Sequence, residues 1–376
     1  MEVITHKCPN CGGALTFEPS DQKFHCPFCL SVFTADELTA FEKKQKEAQL
    51  VDEATDQTPN PSDVASEESL ETTTDQADAS GDVNNMELYT CPSCGAEIVT
   101  DETTAATYCY FCHNPVVLTG RLSGNFLPNR VLPFAINKDQ AIKTFLQWAQ
   151  KKWFVPKDFF NQAQVEKLTG VYFPYWAVTA DAQGELSGIG TSLRVWVLGD
   201  IEYTETKEYA VRRSGKLQFR DFIQNALSKN VQKKMVEGVQ PFSLEKAVPF
   251  ENQYLAGFQA EKRDIEYLDV QDTVHQELAD YGQTLLSDTV SGYTTFRTTG
   301  KQLDITKEDK QYVLLPVWLV TYQAANEKKK TFYYAMNGQT GKTSGILPLS
   351  YGKLTAFCGG IFALVAILLM IGGYFL

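Results

Sequence analysis

From residue 121 to residue 350 apolar and polar positions mostly alternate in twos through β-branched and aromatic runs, the pattern of half-buried strands. This predicts strands near 171–180, 185–198, 201–213 and 216–220, and again near 291–304, 311–323, 330–336 and 342–347. Two stretches follow a helical period instead. Ala141, Ile142, Phe145, Leu146 and Ala149 recur at three- and four-residue steps behind Asn137, a side chain suited to cap a helix N-terminus. A second helix is expected near 272–286 with Asp272 in the capping position. Asn337-Gly338 marks a tight reversal in the last hairpin, with Gly341 as its bulge.

The pattern changes at the C-terminal end, where Thr355 to Leu376 are 22 consecutive uncharged residues. A helix of that length spans about 33 Å, against roughly 30 Å for the hydrocarbon core of a bilayer. Tyr351 stands before the stretch and Tyr374 and Phe375 close it, where aromatic rings suit the two interfaces. Lys342 and Lys353 lie on the N-terminal side and no basic residue lies beyond. The positive-inside asymmetry therefore predicts a single-pass helix over 354–376, tail-anchoring a cytoplasmic body in the cell membrane. Cys358 falls inside that helix, as an apolar lipid-facing residue or an acylation site.

A weak repeat runs through the body. Leu132-Pro133-Phe134 precedes the first helix and Val248-Pro249-Phe250 lies ahead of the second; each helix is followed by a related strand, YFPYWAVT at 172–179 and LLPVWLVT at 314–321. Alternation puts Trp176 and Trp318 on one strand face, where core packing is expected. The inference is a duplicated α+β body with antiparallel sheets, unit one at 121–245 and unit two at 246–350.

Candidate chemistry is confined to the N-terminal third. Eight of nine cysteines form four Cys-x-x-Cys pairs, Cys8/Cys11 with Cys26/Cys29 and Cys91/Cys94 with Cys109/Cys112, and fourteen residues separate the pairs in each set. Two such pairs at this spacing read as a four-thiolate zinc site. Each unit has too few residues for a sufficient apolar core, so binding energy on the order of 10–16 kcal/mol from the metal would hold it folded. Complete thiolate sets leave no open position for water, which makes both ions structural. His6, His25 and His113 adjoin ligands and are read as supporting or surface residues. The chain is thus multidomain: zinc ribbon one at 1–40, an acidic linker at 41–87, zinc ribbon two at 88–120, the body, and the transmembrane helix.

Charge narrows the partners. Residues 47–87 hold twelve Asp or Glu and no Lys or Arg, the composition of a disordered spacer, which would make ribbon one a module on a leash. Asp36 to Leu50 is expected as a short charged helix before it. Residues 1–120 carry 5 basic and 21 acidic side chains, and the rest of the chain 29 basic and 25 acidic. Ribbon two has no basic residue between 89 and 118. Phosphate backbones require neutralising cations, so nucleic acid is disfavoured as a partner.

The cysteine units resemble zinc ribbons of the transcription factor IIB type and rubredoxin-like ribbons. VLPFAINKDQAIKTFLQWAQKKWFVP, GVYFPYWAV, YLAGFQAE, LLPVWLVTY and AMNGQTGK resemble the bacterial zinc-ribbon membrane proteins encoded beside phage-shock protein A and flotillin-like (SPFH) proteins. That resemblance implies an envelope-stress adaptor that recruits a cytoplasmic protein scaffold to the bilayer; self-association is compatible with it. The competing reading is a membrane-tethered nucleic-acid-binding or transcription regulator. No phosphate loop, Gly-x-Ser-x-Gly or His-Glu-x-x-His motif is present, and an enzyme is not expected.

Overall fold

A computed structural model describes residues 3–55, 86–101, 103–109, 112–118, 121–122, 124–156, 168–228, 236–323, 331–347 and 349–375. The first cysteine unit contains β1 (Val3–Ile4), β2 (Thr16–Glu18), β3 (Lys23–His25) and β4 (Val32–Phe33), and is followed by α1 (Ala35–Thr55). α1 opens on a reciprocal cap in which Thr34 N donates to Glu37 Oε2 (2.8 Å) and Glu37 N to Thr34 Oγ1 (3.4 Å). This is the charged helix expected from Asp36 onwards, and it takes the first part of the 41–87 linker into helix. The rest of that linker, residues 56–85, lies outside the described residues. The second unit contains β5 (Met86–Thr90), β6 (Glu97–Asp101), β7 (Thr104–Tyr108) and β8 (Pro115–Leu118).

The body follows as β9 (Arg130–Val131), α2 (Lys138–Gln150), β10 (Thr169–Leu198), β11 (Ile201–Asn225), β12 (Val248–Pro249), β13 (Gln259–Glu261), α3 (Tyr267–Asp288), β14 (Thr295–Gln323), β15 (Thr331–Asn337) and β16 (Thr343–Ile346). An apolar helix, α4 (Tyr351–Phe375), comes last. Asn137 caps α2 as expected, its side chain accepting from Gln140 N. α3 begins earlier than its pattern suggested: Glu266 and Asp269 form a capping box, and Asp272 lies within the helix.

Strands expected as pairs are single long ribbons. β10 runs for 30 residues and β14 for 29, so the breaks anticipated at 181–184 and 305–310 are absent. Gly184 and Gly215 face each other across β10 and β11. At Gly184 the role is close approach: a Cβ there would lie 2.8 Å from Leu217 and 3.1 Å from Leu286 of α3. From Val178 to Gly190 the even-numbered residues of β10 are buried while the odd-numbered ones are partly exposed, so α3 covers one face and solvent the other.

The 11-stranded sheet is mixed, antiparallel except where β10 meets β13 and β14 meets β9. Two separate bodies were expected at 121–245 and 246–350; the structure has one sheet in which their strands interlock. β10 and β14 pair so that Pro174 meets Leu314 and Tyr172 meets Pro316, centred on Phe173 and Leu315. Each short strand pairs parallel with the long strand of the other half, Gln259 with Val171 and Arg130 with Val313. Trp176 Nε1 donates to Ile265 O (3.1 Å) and Trp318 Nε1 to Ile136 O (2.9 Å), again across halves. Phe134 lies 5.0 Å from the Trp318 ring, and the Arg263 guanidinium 4.9 Å from the Trp176 ring. Both tryptophans belong to the core, as expected. The centre of the sheet is buried on both faces, with Val171, Phe173 and Tyr175 forming a second cluster against Val236, Val239 and Phe242.

Neither cysteine unit stands free. Ribbon one, expected on a leash, packs on the body: Phe17 N donates to Ala256 O (2.9 Å), Gln22 Nε2 to Phe134 O (2.7 Å) and Thr39 Oγ1 to Glu251 Oε2 (2.9 Å). The Phe17 ring lies 5.4 Å from Tyr254 and 6.4 Å from Phe258. Composition could forecast the linker but not the surface against which these apolar side chains close. Ribbon two is joined more firmly, because β7 and β8 are strands of the large sheet; β7 pairs with β13, and β8 with β1. α4 is rooted on the segment after α2, where Ser350 N donates to Phe154 O (2.6 Å) and Lys353 Nζ to Val155 O (2.7 Å).

Candidate metal centres

All four Cys-x-x-Cys turns are built alike. In each, the N–H of the first cysteine donates to the carbonyl five residues on, and its carbonyl accepts from the N–H four residues on. The bonds are Cys8 N to Gly13 O (2.7 Å) with Gly12 N to Cys8 O (2.9 Å), and Cys26 N to Ser31 O (2.9 Å) with Leu30 N to Cys26 O (3.0 Å). Ribbon two repeats them with Cys91 N to Ala96 O (2.8 Å) and Cys109 N to Asn114 O (2.9 Å). Closing such a turn requires a left-handed residue at the fifth position. Gly12 and Gly95 sit there at φ 73° and 74°, where a glycine costs little; Leu30 and His113 hold the same slot at φ 60° and 58°.

The turns bring the eight predicted ligands into two clusters, Cys8, Cys11, Cys26 and Cys29, and Cys91, Cys94, Cys109 and Cys112. Within each, the four Sγ atoms lie within 4.8 Å of one another. Cys8 is 3.5 Å from Cys29 and Cys11 3.4 Å from Cys26; in the second cluster Cys91 is 3.8 Å from Cys112 and Cys94 3.7 Å from Cys109. Four sulfurs about 2.3 Å from one ion in a tetrahedron would stand about 3.8 Å apart. The spacing fits a four-coordinate metal, and each cluster could hold one. Burial is asymmetric: the first cysteine of each pair-closing turn, Cys8, Cys26, Cys91 and Cys109, is buried, and its partner is more open.

The electrostatics point to a cation as well. With no ion present, burial pushes the Cys112 thiol up to about 12, and its cysteine neighbours add to the rise. The Ser31 side chain and backbone, by hydrogen bonding, bring Cys29 down to about 6. Burial and crowding thus oppose the thiolate at Cys112, and a bound cation would favour it.

The histidines adjoining the ligands are outside both clusters. Buried His6 contacts Glu42 through Nδ1 (2.7 Å), and His25 Nε2 lies 2.8 Å from Asp21 on the surface. Sequence reasoning missed Arg121, which is buried just beyond ribbon two. Its Nε donates to Tyr89 Oη (2.8 Å), and its Nη1 to Thr104 O (2.7 Å) and to Asp101 O. One arginine thereby ties β5, β6 and β7 together.

The same turn occurs with no cysteine at Asn337. Asn337 N donates to Lys342 O (2.9 Å), Gly341 N to Asn337 O (3.0 Å), and Gly341 is at φ 74°. Buried Asn337 accepts from Gln339 N (2.9 Å) and Thr340 N (3.1 Å), where a cysteine would face metal. The knuckle is thus a hairpin turn in its own right.

The protein YdjG of Bacillus subtilis (strain 168), an uncharacterized protein, is 31% identical to the chain over 264 residues, which span 69% of this chain and 76% of YdjG. The chain belongs to the YdjG family. The match is longer than residues 1–120 and 351–376 together, so part of it falls within the body. No protein-family model matches the chain, and no solved structure matches it.

Proposed function

We propose that the chain is a membrane-anchored adaptor: two structural zinc ions set ribbons one and two, α4 spans the cell membrane, and the ribbon surface captures a cytoplasmic protein partner. The observation that carries this reading is the second knuckle of ribbon one. Phe28 is 68% exposed and Leu30 81% exposed, with Val32 beside them, on a turn that docking to the body leaves open to solvent. An exposed apolar knob suits a protein surface better than a phosphate backbone. Zinc is the ion that four closed thiolates favour. α4 has the length and composition to cross a membrane and lies exposed over its apolar window. Lys342 and Lys353 support a cytoplasmic body, although Lys353 also bonds the body directly.

The partner we infer is an envelope-stress scaffold of the phage-shock protein A or flotillin-like type. A tagged scaffold of this kind is expected to collect at the membrane only when the anchored chain is present. Removing residues 354–376, or replacing Phe28 and Leu30 by Ser, should disperse it. Unchanged localisation of the scaffold in a deletion strain would sink the recruitment reading. A salt-sensitive gel shift at physiological ionic strength would support a nucleic-acid regulator in its place.

A further inference from the structure

Among the described residues β11 hydrogen-bonds with β10 alone, which leaves the other edge of a 25-residue strand bare. Bare edges of this length recruit further strands unless something blunts them. β11 contains no proline, and its backbone pairs with β10 without a bulge between residues 201 and 219. Its protection is charge, and the charges are segregated. Glu202, Glu205 and Glu208 stand in the first half with only Lys207 against them, whereas Arg212, Arg213, Lys216 and Arg220 follow in the second with only Asp221 against them.

We propose that two copies of the chain pair edge to edge along β11, antiparallel, about a dyad at Val211. Such a dyad lies normal to the sheet and keeps equivalent faces on the same side, so residues opposite each other share parity. Within the regular stretch Tyr209 then faces Arg213 of the second copy, while Glu202 comes level with Arg220, at the bulge before Phe222. Glu208 faces Ser214 and is flanked diagonally by Arg212 and Lys216, within reach of long side chains. The acidic half of each strand meets the basic half of the other, twice. Within one chain Lys207 already pairs with Glu205 (3.0 Å) and Arg212 with Glu185 of β10 (2.5 Å), both on the exposed surface. A second copy fits better than a partner of one charge sign, because either sign would be repelled by half of the strand. The same dyad places both α2 layers, and the roots of both α4 helices beside them, on one side of the joined sheet. A shared bilayer would also raise the effective concentration of the edges.

The test uses the full chain in detergent micelles, followed by sedimentation equilibrium. Wild type is expected to be dimeric at micromolar concentration. An acidic strand (Arg213→Glu, Lys216→Glu and Arg220→Glu) and a basic strand (Glu202→Lys, Glu205→Lys and Glu208→Lys) should each dimerise at least tenfold more weakly. Mixing the two should restore dimers, which misfolded variants could not do. In a Cys358→Ala background, Val211→Cys should cross-link to itself on mild oxidation and Leu198→Cys should not. A monomeric wild type, variants that dimerise as wild type does, a mixture that stays monomeric, or cross-linking at Leu198 instead of Val211 would each overturn the proposal.

Discussion

The two cysteine units share spacing, knuckle hydrogen bonds and sulfur geometry, yet they are built into the molecule differently. Ribbon one closes its cysteine knuckles on the three-stranded sheet β2–β3–β4 and meets the rest through the two-residue strand β1 on β8, side chains and a few loop hydrogen bonds. Ribbon two divides its hairpins: β5–β6 form a separate sheet, whereas β7–β8 are continuous with the body. The metal's work is local in both cases. How far its loss travels is set by the backbone bonds that lead away from the cluster. From ribbon one these are β1 on β8 and Phe17 N on Ala256 O, whereas ribbon two commits β7 and β8, the strands that flank Cys109 and Cys112, to the large sheet.

The largest effect should therefore separate the two clusters. Cys109→Ser and Cys26→Ser should each reduce bound metal from two ions per chain to one. Only Cys109→Ser should lower the urea midpoint of the body, by about 1 M or roughly 2 kcal/mol at ordinary denaturant slopes. Intrinsic fluorescence of Trp176 and Trp318 reads the body, and metal analysis reads the clusters. Equal midpoints for the two variants would mean that ribbon two is as loosely coupled as ribbon one.

Phe17→Ala sharpens the contrast from the other side. Phe17 is 4% exposed and packs on Phe24, Tyr254 and Phe258. Removing the ring should cost about 3–4 kcal/mol, most of it in docking, while both metals remain bound. Limited proteolysis should then release ribbon one from a protected body; a protease pattern like that of wild type would show that the loop hydrogen bonds alone hold it.

The smallest effect compares the two halves of the body. Trp176→Phe and Trp318→Phe each delete one indole N–H bond to a carbonyl across the sheet, and each should cost about 1 kcal/mol. Similar losses are expected because the bonds are equivalent; a difference beyond about 2 kcal/mol would indicate that one half dominates the core.

The metal chemistry was legible from residues because ligand type, spacing and knuckle geometry are all local. Asn137 as a cap and Trp176 and Trp318 in the core were legible for the same reason. Leu30 and His113 in the left-handed slot were not, since neither residue type announces that conformation. The long strands were read as shorter ones because nothing local at 181–184 or 305–310 shows that the pairing of β10 with β14 runs on through them. The interlocking of the halves left no local trace: Arg130 beside Val313 and Gln259 beside Val171 are decisions of topology. Ribbon one's docking was hidden likewise, as Phe17 would be apolar whether it served the ribbon or the body.

That interlock fixes an order of events during synthesis. Each ribbon can close as soon as its own cysteines are made, since the contacts are short in sequence. β9 must wait for β14, a separation of 183 residues between Arg130 and Val313. At about 5–20 residues per second, that interval lasts roughly 10–35 s. Throughout it Phe134 has no Trp318 to pack on, and Trp176 waits 89 residues for Ile265. The strand that ends the wait is followed closely by α4, so the body acquires its core at nearly the moment its apolar helix emerges. A nascent chain of this kind is exposed for most of its production, and the cell's chaperones, more than its membrane machinery, meet it first.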